Sequence, residues 1–166
     1  DALNKLEVKS GNGSNGSKYI TYFKFDISGL NNATVSSAKL KIKVKDNGST
    51  NAGTIYPGTG QTWNSNMTWN NRLAYNASVK LGSLAKANTY TWYEVPLTNV
   101  VWKNGSYMMA FVGSSDGVTF YATEGSNKPQ LIFATNTIDT TPPSASIISP
   151  QDNASVSGAI TIAVNA

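Results

Sequence analysis

One stretch of the sequence, SAKLKIKVKD at residues 37–46, restricts the fold more than any other. Lysines alternate in it with Leu40, Ile42 and Val44. Strict alternation of apolar and polar residues, with β-branched side chains among them, predicts a strand that is buried on one face only. Because successive side chains of a strand point to opposite faces, the other face carries ammonium groups about 7 Å apart. These belong to Lys39, Lys41, Lys43 and Lys45.

The positive charge of this row is local, and the sequence shows no folding benefit from it. Neighbouring amines at this spacing repel by about 0.6 kcal/mol per pair even in bulk water. Residues 1–45 hold eight lysines against three acids, whereas the rest of the chain is nearly neutral. A single-signed row on a wet sheet face suits an extended polyanion. Two simpler roles stay open, because lysines also protect sheet edges from aggregation and a charged face is often simply solvated.

Strand-like runs recur along the chain with turn signals between them. No window of ten or more residues has helical periodicity. The pattern predicts an antiparallel, all-β sandwich. We place its strands at residues 3–9, 19–27, 36–45, 53–58, 79–83, 91–97, 106–113, 117–123 and 130–135. The expected inward side chains are Leu6, Val8, Phe23, Phe25, Ile27, Leu40, Ile42, Val44, Val95, Met109, Phe111, Phe120, Leu131 and Phe133. If the second and third runs are neighbours, Tyr22 and Lys24 join the row of lysines.

The run DTTPP interrupts the strand pattern and divides the chain. Consecutive prolines cannot continue a central strand, so we interpret residues 139–143 as a linker after a sandwich at residues 1–138. Residues 144–166 contain two further strand-like runs. Two strands cannot bury a core of their own. We therefore expect this short two-strand segment to pack on the sandwich or to pair with another copy of the chain.

The segment TWNSNMTWNNRL at residues 62–73 contains two tryptophans and the only arginine. Tryptophan rings are common platforms for sugar rings, but in a sandwich they serve more often as core or loop anchors. We therefore predict that Trp63 and Trp69 are core or loop anchors. Arg72 is expected to tie a loop through its planar fork, with a carboxylate or carbonyls as acceptors.

The residue types argue against an enzyme. Histidine and cysteine are absent from the sequence, which removes the usual general base, the commonest metal ligand and thiolate chemistry. The acids Asp26, Glu94, Asp116 and Glu124 stand singly, without a partner at catalytic spacing. We expect no cofactor and no metal; a structural calcium held by Asp46, Asp116 and nearby carbonyls remains the alternative. The single arginine argues against nucleic acid, and no apolar run approaches the length of a membrane span.

Asn-x-Ser/Thr triplets are about twice as frequent as chance predicts. They begin at Asn12, Asn15, Asn32, Asn47, Asn66, Asn76, Asn104 and Asn153. The excess favours an extracellular or cell-surface glycoprotein, although asparagine and serine also share turns for conformational reasons. Because the sequence begins with Asp1 rather than methionine, we expect it to be a processed or excised segment.

Three motifs in order carry a resemblance to a known family. They are YFKFDISGL (22–30), WNNRL (69–73) and GVTFYATEGSNKPQL (117–131). Together they resemble the DNRLRE domain, also described as carbohydrate-binding module family 96, over residues 3–135. The resemblance implies a jelly-roll-like sandwich, appended to secreted polysaccharide lyases or repeated in surface proteins, with alginate-like polyuronates as ligands of some members. Lys24 matches the lysine of the family's LKFD motif and is carried over as a sheet-face residue. The segment after DTTPP resembles the start of a bacterial Ig-like domain.

Together these observations predict a non-catalytic extracellular module that binds acidic polysaccharide. The predicted binding residues are Lys24, Lys39, Lys41, Lys43, Lys45 and Tyr22. The alternative is a structural repeat of a surface fibre, sheath or filament that assembles by strand exchange through residues 144–166. The resemblance implies a further strand before the first run, yet the sequence begins almost on that run, so we expect a missing edge strand. This expectation and the two-strand segment at 144–166 together motivate the alternative. Unpaired edge groups invite pairing with a further strand.

Overall fold

The structure is a computed structural model that describes residues 5–8, 18–30, 33–46, 48–60, 68–114, 117–122, 125–136 and 143–165. All regular elements within these ranges are β-strands, which confirms the predicted all-β class. They are β1 (Lys5–Val8), β2 (Ile20–Ile27), β3 (Thr34–Asp46), β4 (Gly53–Thr59), β5 (Ala74–Tyr75), β6 (Gly82–Leu84), β7 (Trp92–Leu97), β8 (Gly105–Gly113), β9 (Val118–Tyr121), β10 (Gln130–Asn136), β11 (Ser146–Ser149) and β12 (Ala163–Asn165).

Two antiparallel five-stranded sheets build the sandwich. In the first, which we call the β3 sheet, Leu40 of β3 lies opposite both Val95 of β7 and Leu131 of β10, so these two strands occupy opposite edges of β3. The last residues of β3 pair with β9, which in turn pairs with β1. The second, the β8 sheet, has the order β2–β8–β4–β5, with β6 also on β4. Successive strands cross repeatedly between the sheets, as in a jelly roll.

The alternation of β3 produces the core between the sheets. Leu40, Ile42 and Val44 are fully buried. Across the core, the ring of Phe111 on β8 stacks on that of Phe120 on β9 with centroids 5.4 Å apart, which joins the two sheets. Complete burial of a side chain of this size contributes about 1.5–3 kcal/mol. The sandwich is therefore held mainly by apolar contact from a few inward-facing positions on each strand.

The predicted inward set agrees with this core wherever side chains are described. Buried in it are Phe23, Leu40, Ile42, Val44, Val95, Met109, Phe111 and Phe120. Packed against it and partly buried are Phe25, Ile27, Leu131 and Phe133. The side chains of Leu6 and Val8 lie outside the described part of the chain. Each predicted run overlaps an observed strand, whereas β5 was missed because two residues carry no readable alternation.

The C-terminal segment contains the expected two strands. β11 and β12 pair with each other, with Ile147 opposite Val164. The predicted linker at 139–143 lies outside the described residues except for Pro143. Within the part of the chain that the structure describes, no helix is long and apolar enough to cross a membrane.

Shortening an inward side chain of β3 should destabilise the sandwich far more than shortening its outward neighbour. We expect Leu40→Ala to lower the free energy of unfolding by about 2–5 kcal/mol, because it removes buried methyl groups and leaves a cavity. Lys41→Ala should lower it by only about 0.5–1 kcal/mol, the contribution of its exposed cation–π contact with Trp92. Urea denaturation followed by tryptophan fluorescence measures both. Equal losses for the two variants would contradict the one-sided burial of β3.

Candidate functional site

The lysines of β3 stand together on the outer side of the β3 sheet. Lys39, Lys41, Lys43 and Lys45 are partly exposed, while the residues between them are buried, as the alternation predicted. At the rise of an antiparallel strand, the row extends over about 20 Å. We call this surface the lysine face; it comprises the row and the side chains of Trp92, Glu94, Tyr121 and Asn127 that contact it.

Aromatic rings lie between the amines of the lysine face. Trp92 of β7 lies opposite Lys43 in the sheet, and its ring centroid is 5.2 Å from the Nζ of Lys41 and 5.8 Å from that of Lys43. The ring of Tyr121 on β9 is 5.4 Å from Lys43 Nζ and 6.0 Å from Lys45 Nζ. An exposed cation–π contact of this kind contributes about 0.5–1 kcal/mol. The row therefore has a folding benefit that the sequence did not reveal.

The row is single-signed along β3, but a glutamate of the neighbouring strand interrupts the positive charge of the face, which the sequence did not predict. Glu94 lies opposite Lys41 in the neighbouring strand, and its Oε2 is 2.9 Å from Lys39 Nζ. The hydrogen bond from Lys39, followed by its charge and that of Lys41, holds the pKa of Glu94 below its ordinary value. The lysine row and Glu94 together carry a net charge of +3. Lys43 Nζ in addition donates a hydrogen bond to Asn127 Oδ1 at 3.2 Å.

Tyr22 and Lys24 do not lie on the lysine face. They belong to β2, which pairs with β8 rather than with β3, so the expectation that they extend the row was wrong. Lys24 Nζ is 3.1 Å from Asp26 Oδ2. A hydrogen bond from Ser106, together with that from Lys24, lowers the pKa of Asp26. A part in binding for Tyr22 and Lys24 remains a prediction, separate from that of the β3 lysines.

The WNNRL segment folds against the β8 sheet. The Tyr22 hydroxyl donates a hydrogen bond to the carbonyl of Leu73 at 2.7 Å, and burial raises the pKa of Tyr22. The guanidinium of Arg72 lies 4.1 Å from the centroid of the Trp69 ring and donates to the Trp69 carbonyl, which confirms that Arg72 ties a loop. Trp69 is 49% exposed, so it is not a core residue. Trp63 lies outside the described residues.

Three of the predicted glycosylation sites are described, and all three are exposed. Asn76 and Asn104 each accept a backbone hydrogen bond on Oδ1, from Ser78 and Leu30 respectively. Asn153 lies between β11 and β12. The other candidates fall outside the described residues: Asn12, Asn15, Asn32, Asn47 and Asn66. Glycosylation therefore stays a prediction at all eight triplets.

The acids of the described residues form no cluster that suggests metal or acid–base chemistry. No three Asp or Glu side chains converge anywhere in the described ranges. Asp26 and Glu94 are each paired with a lysine. Asp116 and Glu124 lie outside those ranges, and so does the calcium site that would include Asp116.

Comparison with known proteins identifies the class of module. The family model of carbohydrate-binding module family 96 matches residues 2–135, and the chain belongs to this family. The resemblance inferred from the three motifs is thereby confirmed, whereas the match does not extend to the segment that resembles an Ig-like domain. Modules of this kind are typically non-catalytic and commonly belong to secreted or surface proteins. A search of curated proteins found no match.

The sequence missed Trp92, Tyr121 and the position of Glu94 on the lysine face. A signal for two of them was present, because Val95 was expected to point inward and alternation then turns Trp92 and Glu94 outward. Their proximity to β3 depends instead on the pairing of β7 with β3, which joins residues about fifty positions apart. Local patterns do not encode that pairing.

Replacing Lys39 should release the pKa of Glu94. In Lys39→Gln the charge of Lys39 and the hydrogen bond from its ammonium group are gone, while the charge of Lys41 remains, so we expect the pKa of Glu94 to rise part of the way toward its ordinary value. In the unsubstituted chain, the ion pair should stabilise the fold at neutral pH and stop doing so as the pH falls through the lowered pKa. An NMR titration of the side-chain carboxyl carbons measures the shift.

Asp26 is the internal control for this titration, because its partners Ser106 and Lys24 lie on the other sheet. Its pKa should be the same in both proteins. A Glu94 pKa that does not respond to Lys39→Gln would show that the ion pair is not formed in solution.

Proposed function

We propose that the lysine face binds an acidic, polyuronate-like polysaccharide, and that the module holds this polymer for a larger secreted or surface protein. The observation that carries the proposal is the interleaving of the β3 amines with the rings of Trp92 and Tyr121 on one outer sheet face. Membership of a carbohydrate-binding family supports the class of ligand. A non-catalytic role agrees with the typical behaviour of such modules.

The chemistry of the lysine face matches both the carboxylates and the sugar rings of a uronate polymer. A lysine amine has three donors, so Lys41, Lys43 and Lys45 can each donate to a carboxylate while remaining over an aromatic ring. Lys39 contributes less, because Glu94 already accepts from it. The apolar sides of the sugar rings would pack on Trp92 and Tyr121. The row runs along a strand, so an extended chain suits it better than a compact ligand.

The expected affinity comes from several weak contacts acting together. An exposed ion pair contributes about 0.2–1 kcal/mol, which is too little for one lysine to hold a polymer. Repeated carboxylates allow several contacts at once, and further copies of the module in one protein would raise the avidity. Because the contacts are exposed charges, salt should weaken the binding.

The double variant Lys41→Ala/Lys43→Ala tests the proposed face. If each lysine contributes as an exposed ion pair, we expect the binding free energy for a polyuronate to weaken by about 0.4–2 kcal/mol. The dissociation constant should then rise roughly 2- to 30-fold. The dependence of affinity on salt should also become shallower. Isothermal titration calorimetry at two salt concentrations measures both, with a neutral polysaccharide as the reference ligand.

The control is Lys80→Ala/Lys86→Ala, which removes the same charge from exposed positions outside the strands of the β3 sheet. It should bind like the unsubstituted chain. Equal losses in the two double variants would mean that only net charge matters, and salt-independent binding unaffected by Lys41→Ala/Lys43→Ala would exclude the lysine face. Single-stranded DNA in place of the polyuronate tests whether any polyanion suffices.

A second candidate function is assembly of a surface fibre through the C-terminal segment. One observation favours it: Ile147 and Val164 lie opposite each other in the β11–β12 pair, yet are 64% and 54% exposed. Ile148 and Ile162 are exposed as well. Apolar side chains grouped in this way are common at protein–protein contacts, and a two-stranded sheet gains stability by pairing further.

If this segment joins copies of the chain, the protein should associate as its concentration rises. Sedimentation velocity over a concentration series measures the association. Ile147→Lys/Val164→Lys should reduce it, while Lys41→Ala/Lys43→Ala should leave it unchanged. A protein that remains monomeric at the highest concentration would exclude this candidate and leave the carbohydrate-binding proposal unaffected.

A further inference from the structure

A depression lies on the β8 sheet, the sheet opposite the lysine face. It has a volume of about 240 Å³ and lies between the start of β2 and the WNNRL segment. Its walls include Lys18, Tyr19, Tyr22, Thr68, Trp69 and Arg72; we call it the Arg72 pocket. Thr21 and Phe23 of β2 are buried toward the core, so Tyr22, which alternates with them, faces the outer side of the sheet.

The charge of the Arg72 pocket favours an anion. Lys18 and Arg72 are both among its lining residues, and no acidic side chain lines it among the described residues. A guanidinium has five N–H donors in a planar fork, and the hydrogen bond that the structure gives Arg72 goes to the Trp69 carbonyl. The remaining donors match the two oxygens of a carboxylate.

The aromatic side chains of the pocket favour a sugar ring. Trp69 and Tyr19 are 49% and 42% exposed, whereas Trp102, which packs in the core, is 8% exposed. Arg72 lies over the Trp69 ring and fixes its orientation, so the tryptophan presents a positioned apolar surface at the rim. The Tyr22 hydroxyl donates its hydrogen bond to the carbonyl of Leu73. Its oxygen can therefore accept a hydrogen bond from a hydroxyl group of a ligand.

We infer that the Arg72 pocket is a second saccharide site, which holds a single carboxylated sugar residue such as the end of a uronate chain. Arg72 receives the carboxylate through its fork, Lys18 adds positive charge, and Trp69 and Tyr19 pack against the ring. The pocket is smaller than the roughly 300–1,000 Å³ of typical ligand sites. It therefore suits one residue in a hollow, in contrast to the extended polymer proposed for the lysine face.

The two tryptophans make both sites visible in one experiment. The indole N–H resonance of Trp69 reports on the Arg72 pocket, and that of Trp92 reports on the lysine face. The unsubstituted chain is titrated with a linear uronic acid hexasaccharide and, separately, with a neutral hexasaccharide. We expect the Trp69 resonance to shift saturably with the uronate, and the neutral sugar to bind at least about fivefold more weakly.

Substitutions in the pocket should weaken the response of Trp69 only. Arg72→Lys keeps the charge but loses the planar fork, and we expect about a tenfold loss of affinity. Lys18→Gln should cost about two- to threefold, as for an exposed charge. The Trp69 response should persist in Lys41→Ala/Lys43→Ala, which serves as the control for the other face.

The outcomes separate this inference from the proposal for the lysine face. A shift of Trp92 without a shift of Trp69 would overturn the second site and leave the lysine face standing; the reverse result would support the pocket and count against the lysine face. Equal affinity for the neutral sugar would overturn carboxylate recognition. If Arg72→Lys fails to fold, Lys18→Gln decides, since an unchanged affinity there would also overturn the inference.

Discussion

One-sided burial of β3 is the constraint on which the rest of the structure depends. Leu40, Ile42 and Val44 are completely excluded from solvent, and β7 and β10 pair with the same stretch of strand on both edges. A shift of the register by one residue would place the lysines in the core. The free energy lost in desolvating four ammonium groups far exceeds the free energy gained from strand pairing in that register. The burial of the apolar residues therefore fixes the positions of the amines as firmly as it fixes the core.

The amines gain order from their aromatic neighbours. Repulsion between adjacent lysines costs about 0.6 kcal/mol per pair in water, whereas the four observed ring contacts contribute about 0.5–1 kcal/mol each. The attraction is at least as large as the repulsion, so the row does not oppose folding. A flexible lysine loses up to about 2 kcal/mol of side-chain entropy when it is fixed. Amines already held over Trp92 and Tyr121 have less of that entropy left to lose on binding.

The positions of the strands, and which of their side chains point inward, were predictable because both depend on neighbouring residues. Which strands contribute side chains to the same outer face was not predictable. The alternation of β3 identified its buried and exposed sides from neighbouring residues alone. The position of Lys24 depends on whether β2 pairs with β3 or β8, and nothing within the run YFKFD decides that. The same holds for Glu94, whose ion pair with Lys39 requires β7 to lie beside β3. Long-range pairing is selected by how the whole core packs, so a single strand pattern cannot reveal it.

The two proposed sites differ in shape because their sheets are covered differently. The lysine face remains open along β3, whereas the WNNRL segment lies against the β8 sheet and is linked to β2 by the bond from Tyr22 to Leu73. An open row suits the interior of a polymer, and a hollow beside an arginine suits one residue. Since the sites lie on the outer sides of opposite sheets, a short saccharide cannot span both. A short saccharide that fills the Arg72 pocket therefore leaves the lysine face free for a second ligand.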